Sequence, residues 1–158
     1  MPRHAEVKTL PYTPEQMFDL VADVAKYPQF LPWMIGARVR SRTETEMVAD
    51  LIIGFKIFRE SFTSRVALDR PQRIHVDYVS GPLKYLRNEW AFVAVDGGCK
   101  VDFQVDFQFQ NKMFETLVGG LFTEAVRRMV AAFEQRAKLL YGNGPLPETA
   151  TKQITQTA

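Results

Sequence analysis

Four polar residues sit among apolar neighbours on strand-like stretches, and any chemistry would have to start from them. In RESFTSRV (59–66), Glu60 and Ser64 alternate in phase with Phe58, Phe62 and Val66. In IHVDY (74–78), Tyr78 keeps the phase of Ile74 and Val76, and in LRNEWAF (86–92) Asn88 keeps that of Leu86, Trp90 and Phe92. A strand puts residues i, i+2 and i+4 on one face, so these groups should point into whatever the apolar face covers. Buried polar groups need partners, and a few of them converging among apolar walls can orient a ligand. Ser64, Tyr78 and Asn88 can donate hydrogen bonds. Glu60 can donate only when protonated, which burial would favour. The competing readings are an Arg partner for Glu60 and purely structural roles for Tyr78 and Asn88; the sequence leaves both open.

Signals for catalysis are sparse. The two histidines, His4 and His75, have no metal-ligand spacing to Cys, Asp or Glu. There is no Gly-rich phosphate loop, no nucleophile elbow and no pair of inward carboxylates. His75 falls on the face opposite Ile74 and Val76 and should meet solvent. Cys99, the sole cysteine, follows the turn Asp96-Gly97-Gly98 and has no base beside it. It reads as a small residue at a strand start rather than a nucleophile. An intrachain disulfide is excluded, which suits a reducing compartment. The expectation is a binding protein without metal or cofactor, not an enzyme.

The stretch YPQFLPWM (27–34) carries Tyr27, Phe30, Leu31, Trp33 and Met34 between two prolines. Pro28 and Pro32 rule out a regular helix or a central strand. Such an oily irregular segment either plugs a core or forms the rim of an opening.

Periodicity supplies the elements that position these groups. Residues 4–9 alternate as a first strand. Thr13-Pro14-Glu15-Gln16 is a helix start, with Thr13 as N-cap, Pro14 at N1 and Gln16 completing a capping box; the helix should run to about Ala25. One short helical turn can fit within YPQFLPWM. From Ala37 to Phe109 the period changes to two, with turns at 69–72, 80–82 and 96–98, which gives six further strands in an antiparallel meander. Its last strand sets Val101, Phe103, Val105, Phe107 and Phe109 against Asp102, Gln104, Asp106 and Gln108. Asn111 can cap a long helix from about Lys112 to Leu140, striped by Phe114, Leu117, Leu121, Phe122, Ala125, Met129, Phe133 and Leu140. Residues 143–158 are polar and should be disordered. A sheet with one apolar face needs a partner, and the long helix is the available one. A curved sheet wrapped round it would enclose a hollow: an α+β cup.

Composition agrees with one such domain. The chain has 158 residues, 46% apolar and 24% charged, with a net charge of +2. That balance does not point to nucleic acid, and no DNA partner is expected. No apolar run approaches the roughly 18 residues that span a bilayer. MPRHAEVKTL lacks the apolar core of a signal peptide. The expected location is the cytoplasm, with any membrane contact peripheral.

Six stretches together resemble the coenzyme Q-binding START-domain family: VADVAKYPQFLPW, ADLIIGF, RESFTSRV, GPLKYLRNEWAF, VDFQVDFQFQ and MVAAFEQRAKLLYG. This family belongs to the wider polyketide-cyclase and lipid-transfer superfamily. The resemblance covers roughly residues 3–142, and residues 1–142 would form one START-like lipid-binding domain. Met34 departs from the pattern, since members often carry Cys there; no thiol is then needed. The resemblance implies the helix-grip (START/Bet v-like) fold, a curved antiparallel sheet of about seven strands round a long C-terminal helix, with a hydrophobic cavity. It implies a carrier or chaperone for ubiquinone that supports respiratory electron transport, placed in the cytoplasm or peripherally at the inner membrane. The same family includes proteins described as toxins that block association of ribosomal subunits. A ribosome partner therefore stays open, as does a cyclase/aromatase-type enzyme using Glu60 or Tyr78.

On the cup reading, Phe30, Leu31, Trp33 and Met34 form the rim, where they could touch a lipid tail and a membrane interface. Phe55, Phe62, Trp90, Phe107, Leu117, Leu121, Phe122 and Met129 line the wall. Tyr78, Pro82, Leu86 and Asn88 complete the lipid-binding set, and Tyr78, Asn88 and Ser64 face the oxygens of a quinone head. Gly119-Gly120 either leaves space for a ligand or marks a kink. Arg38, Arg40 and Arg42 share one strand face, and Arg127 and Arg128 lie on the last helix. They could meet anionic headgroups or RNA phosphates, or simply form a solvated face.

Overall fold

The computed structural model describes residues 3–55, 58–110, 112–113 and 122–142. The chain runs β1 (Arg3–Leu10), α1 (Pro14–Ala22), a 3-10 helix (Val24–Gln29), β2 (Met34–Arg42), β3 (Glu46–Phe55), β4 (Phe58–Asp69), β5 (Arg73–Ser80), β6 (Leu83–Val95), β7 (Gly98–Phe109) and α2 (Phe122–Tyr141). The strands form one antiparallel sheet in the order β1-β7-β6-β5-β4-β3-β2. This is the cup that the meander and the amphipathic last helix imply, in the α+β helix-grip form that the family resemblance implies.

Local chemistry explains the boundaries. At α1 the capping box is complete: Thr13 Oγ1 accepts from the Gln16 N–H and Gln16 Oε1 accepts from the Thr13 N–H, both at 3.0 Å. The helix ends at Ala22, short of Ala25, because Asp23 leaves helical geometry with ψ at 65°. Side chains from elsewhere take over its last carbonyls. The Tyr27 hydroxyl donates to Val21 O, and the Arg42 guanidinium reaches Ala22 O at 3.3 Å. The chain then tightens into the 3-10 helix, which holds Tyr27 and Pro28.

Two bulges in β2 change what alternation suggested. Register shifts occur between Met34 and Gly36 and between Val39 and Ser41. The second moves Arg42 opposite Met47, a fully buried residue of the inner face. Arg38, Arg40 and Arg42 therefore do not share a face. Arg38 and Arg40 stay outside on Asp50, at 3.6 and 2.7 Å, while Arg42 turns in to α1. Donation by Thr63 and the Arg40 guanidinium hold the Asp50 carboxyl below its usual range.

The core lies between the concave sheet face, α1 and α2. Met17, Phe18, Met47, Ile74 and Cys99 are almost fully buried. Burial, with the Glu15 charge behind it, pushes the Cys99 thiol up to about 11. β1 approaches β7 so closely that a Cβ at Gly98 would lie 1.9 Å from Leu10 O, so only glycine fits there. Tyr141 Oη donates to Gln16 O at 3.1 Å and Tyr12 Oη to Gly142 O at 2.9 Å, tying the end of α2 to α1 and closing one end of the cup. Among the described residues, no helix is long and apolar enough to cross a membrane.

Candidate functional site

Strand register sets the concave face in rows. Leu51 faces Phe62; Ala49 faces Ser64, which faces Tyr78. Met47, Val66, Val76, Asn88 and Val105 form the next row, and Leu68, Ile74, Trp90 and Phe103 the one after. Both edges of the sheet reach α2. On the β2 side, Tyr27 and Phe30 of the aromatic stretch each pack edge-on against Phe133, with ring centroids 5.4 Å apart, and the Arg136 guanidinium lies over Phe30. On the β1 side, Lys8 Nζ donates to Glu134 and lies 3.6 Å from Glu6. Donation to Glu134 holds the Lys8 ammonium above its ordinary pKa. Below this pair is a small cavity of about 20 Å³ lined mainly by Leu10, Met17, Trp90, Phe103, Val130 and Phe133. It has room for about one water, so this part of the cup is essentially packed.

The residues expected at the site divide by location. Phe62 and Trp90 are buried on the concave face. Tyr78, Leu86 and Phe107 are half-buried there, and Met129 packs onto the core from α2. Pro82 is half-buried in the β5–β6 turn, where its carbonyl accepts from the Gln110 N–H at 3.1 Å. Leu31 and Met34 are buried core residues, whereas Phe30 and Trp33 are half-buried. YPQFLPWM thus seals the core with some side chains and leaves others partly at the surface. Trp33 holds a left-handed backbone with φ of 64°, unusual for a bulky residue, and its carbonyl accepts from the Gly54 N–H at 2.8 Å. Leu117, Leu121, Gly119 and Gly120, the residues 143–158, and the side chains of Phe55 and Phe122 lie outside the described residues.

The polar groups behave differently from one another. Glu60 is exposed near the start of β4, so it is not the buried carboxyl that alternation suggested. Alternation gave its face correctly but not its depth. Asn88 is committed: Nδ2 donates to Gln104 O at 2.8 Å and Oδ1 accepts from Trp90 Nε1 at 3.0 Å. Tyr78 Oη accepts from the Leu83 N–H at 2.9 Å. Ser64 is 1% exposed, and its hydroxyl has no hydrogen-bond partner among the described residues. His75 is partly exposed beside Asp77 and Glu89. Among the described residues, no group of three His, Cys, Asp or Glu side chains is arranged to hold a metal.

Sequence reasoning passed over the Glu6–Lys8–Glu134 cluster. The signal was present in β1, where His4, Glu6, Lys8 and Leu10 share a phase and form the half-buried face. Charges facing inward on an edge strand also protect that edge from pairing with another chain. The basic faces are largely tied locally, since Arg128 contacts Glu124 and Arg65 contacts Glu46. Arg127 is exposed.

An apolar cup gripping a long helix defines a class, and sequence comparison gives the same one. The chain belongs to the polyketide cyclase / dehydrase and lipid transport family, whose model matches residues 10–134. It is 38% identical to the "Ribosome association toxin RatA" of Escherichia coli over 142 residues, 89% of this chain and 90% of that protein. It is 31% identical to the "Coenzyme Q-binding protein COQ10 homolog B, mitochondrial" of Xenopus laevis over 156 residues, 96% of this chain and 64% of that protein. In fold it matches the STAR-related lipid transfer protein of Xanthomonas axonopodis with a TM-score of 0.73 at 12% identity, covering 86% of this chain and 85% of that one.

Proposed function

We propose that this protein binds ubiquinone or a similar polyprenyl lipid on its concave face and acts as a carrier that supports respiratory electron transport. One observation carries the reading. Leu86, Phe103, Val105 and Phe107 point inward and stay only half-buried, even though Phe103, Val105 and Phe107 pack against Val126 and Val130 of α2, so part of this apolar face is still open to a ligand. Burying such surface against a hydrocarbon tail is worth about 0.8 kcal/mol per CH2. Relatedness to a protein named as coenzyme Q-binding supports the choice of lipid.

The reading is of a carrier rather than an enzyme: Glu60 is exposed, Asn88 is engaged, and the inward charges Glu6, Lys8 and Glu134 are paired with one another. Contact with the membrane would be peripheral. Exposed Ile53 and Val79 and the half-buried Trp33 all lie at the end of the sheet bearing the β3–β4 and β5–β6 turns. The test is transfer of ubiquinone between donor and acceptor vesicles. Protein-dependent transfer, weakened in Phe107→Arg, supports a carrier; no transfer above the spontaneous rate removes it.

A second reading has its own support. A relative as similar as 38% identical over nine-tenths of its length is named for ribosome association. On that reading the protein cosediments with large ribosomal subunits in a salt-sensitive way, and Phe107→Arg has no effect.

A further inference from the structure

We infer that Ser64 and Tyr78 form a two-donor cradle for the oxygens of the ligand's head group, so that the cup selects a head rich in hydrogen-bond acceptors, such as a carbonyl-bearing ring. This rests on the lipid-binding reading above and adds to it the chemistry of the bound head.

Ser64 and Tyr78 are directly paired across β4 and β5 and both face the concavity. The Ser64 hydroxyl is buried with neither donor nor acceptor among the described residues. Leaving a buried hydroxyl unpaired is costly, and native proteins rarely do so without a reason. Tyr78 Oη already accepts from the Leu83 N–H, so its remaining capacity is to donate, and no described group takes its proton.

The local backbone fixes that hydroxyl. Gly81 has φ of 142°, and a Cβ there would lie 3.0 Å from Tyr78 Oη and 2.6 Å from Phe62 Cβ. Glycine is what allows the β5–β6 turn to close over the tyrosine. Asn88, the third candidate donor, is engaged with Gln104 and Trp90, which leaves the pair of hydroxyls to do the selecting. Around them are Phe62, Ala49, Val66 and Val76, none of which offers a side-chain acceptor. A ligand with oxygens on its ring satisfies both hydroxyls; a plain hydrocarbon satisfies neither.

The test compares two probes by calorimetry on the full chain: a decyl-substituted dimethoxy-methyl-benzoquinone, and decylbenzene, which has the tail and a ring but no oxygen. The wild type should bind the quinone more tightly. Ser64→Ala and Tyr78→Phe should each weaken quinone binding about tenfold, the size of one lost hydrogen bond, and leave decylbenzene unchanged. Ser64→Ala should also raise the Tm of the unliganded protein by ~2–4 °C, because it removes an unpaired buried hydroxyl. A merely structural serine would lower it. If the variants bind the quinone as the wild type does, the cradle is wrong and the lipid reading stands. If the wild type binds neither probe, both fall.

Discussion

Phe133→Ala is the substitution that most directly probes how α2 is held in the cup. Phe133 is 6% exposed and meets Tyr27 and Phe30 at 5.4 Å and Trp90 at 5.0 Å, all edge-on. It therefore joins the 3-10 segment on the β2 side to the centre of the sheet. Truncating a buried Phe to Ala typically costs about 3–5 kcal/mol, and three aromatic contacts place this one at the upper end. That is a large share of the roughly 5–15 kcal/mol that holds a domain together. A fall in Tm of ~10–15 °C should follow in a protein of this size. Leu139→Ala, on the same helix but 74% exposed, is the control and should change stability by less than about 0.5 kcal/mol. Urea unfolding followed by circular dichroism measures both. Phe133 also lines the small cavity beside Trp90, so the void left by truncation should bind a small apolar probe such as benzene. Equal losses for Phe133→Ala and Leu139→Ala would falsify the claim that α2 is anchored through this cluster.

Other perturbations separate the remaining contacts. Trp33→Ala should leave the domain folded and weaken uptake of lipid from vesicles, whereas an intact variant with unchanged uptake removes Trp33 from the rim. Trp33→Gly should be the more stable of the two, because glycine tolerates φ of 64°; equal melting temperatures count against strain there. Cys99, with its thiol raised to about 11 by burial, should be roughly a thousandth thiolate at pH 8 and resist iodoacetamide until the protein is unfolded. Fast alkylation of the native protein contradicts that burial. The Lys8–Glu134 pair is partly solvated and should contribute at most about 1 kcal/mol. Because the folded-state pKa of Lys8 is raised above 10.5, this contribution is complete at neutral pH and disappears as pH rises through the folded value. Glu134→Gln and wild type should therefore converge in stability at strongly alkaline pH.

Much of the cup could be read from short-range pattern. The alternation of Val101 through Phe109 and the Thr13–Gln16 capping box are local signals, and each is found where expected. The helix stripe is found only in part: Phe133 is buried and Met129 packs on the core, but Leu140 is exposed, the buried face also takes in Val126, Val130 and Ala137, and Phe114, Leu117 and Leu121 lie outside the described residues. The departures come from contacts that a local period cannot encode. The β2 bulge that turns Arg42 inward becomes visible only when β2 is laid against β3. Glu60 keeps its predicted face, but its exposure depends on how far the cover extends. Lys8 and Glu134 are 126 positions apart in the chain, and only the packing of α2 against β1 brings them together. Tyr78 and Asn88 looked equivalent as donors in the sequence. Their partners separate them: Asn88 is occupied on both sides, and among the described residues Tyr78 Oη only accepts, from the Leu83 N–H.

The central claim is that the concave face carries a polyprenyl quinone. Organic extraction of the purified protein, followed by mass spectrometry, tests it most directly. The wild type should yield a near-stoichiometric prenylated quinone, and Phe107→Arg little or none. An extract that is empty, and stays empty after incubation with quinone-loaded vesicles, would contradict it and leave the ribosome as the partner to pursue.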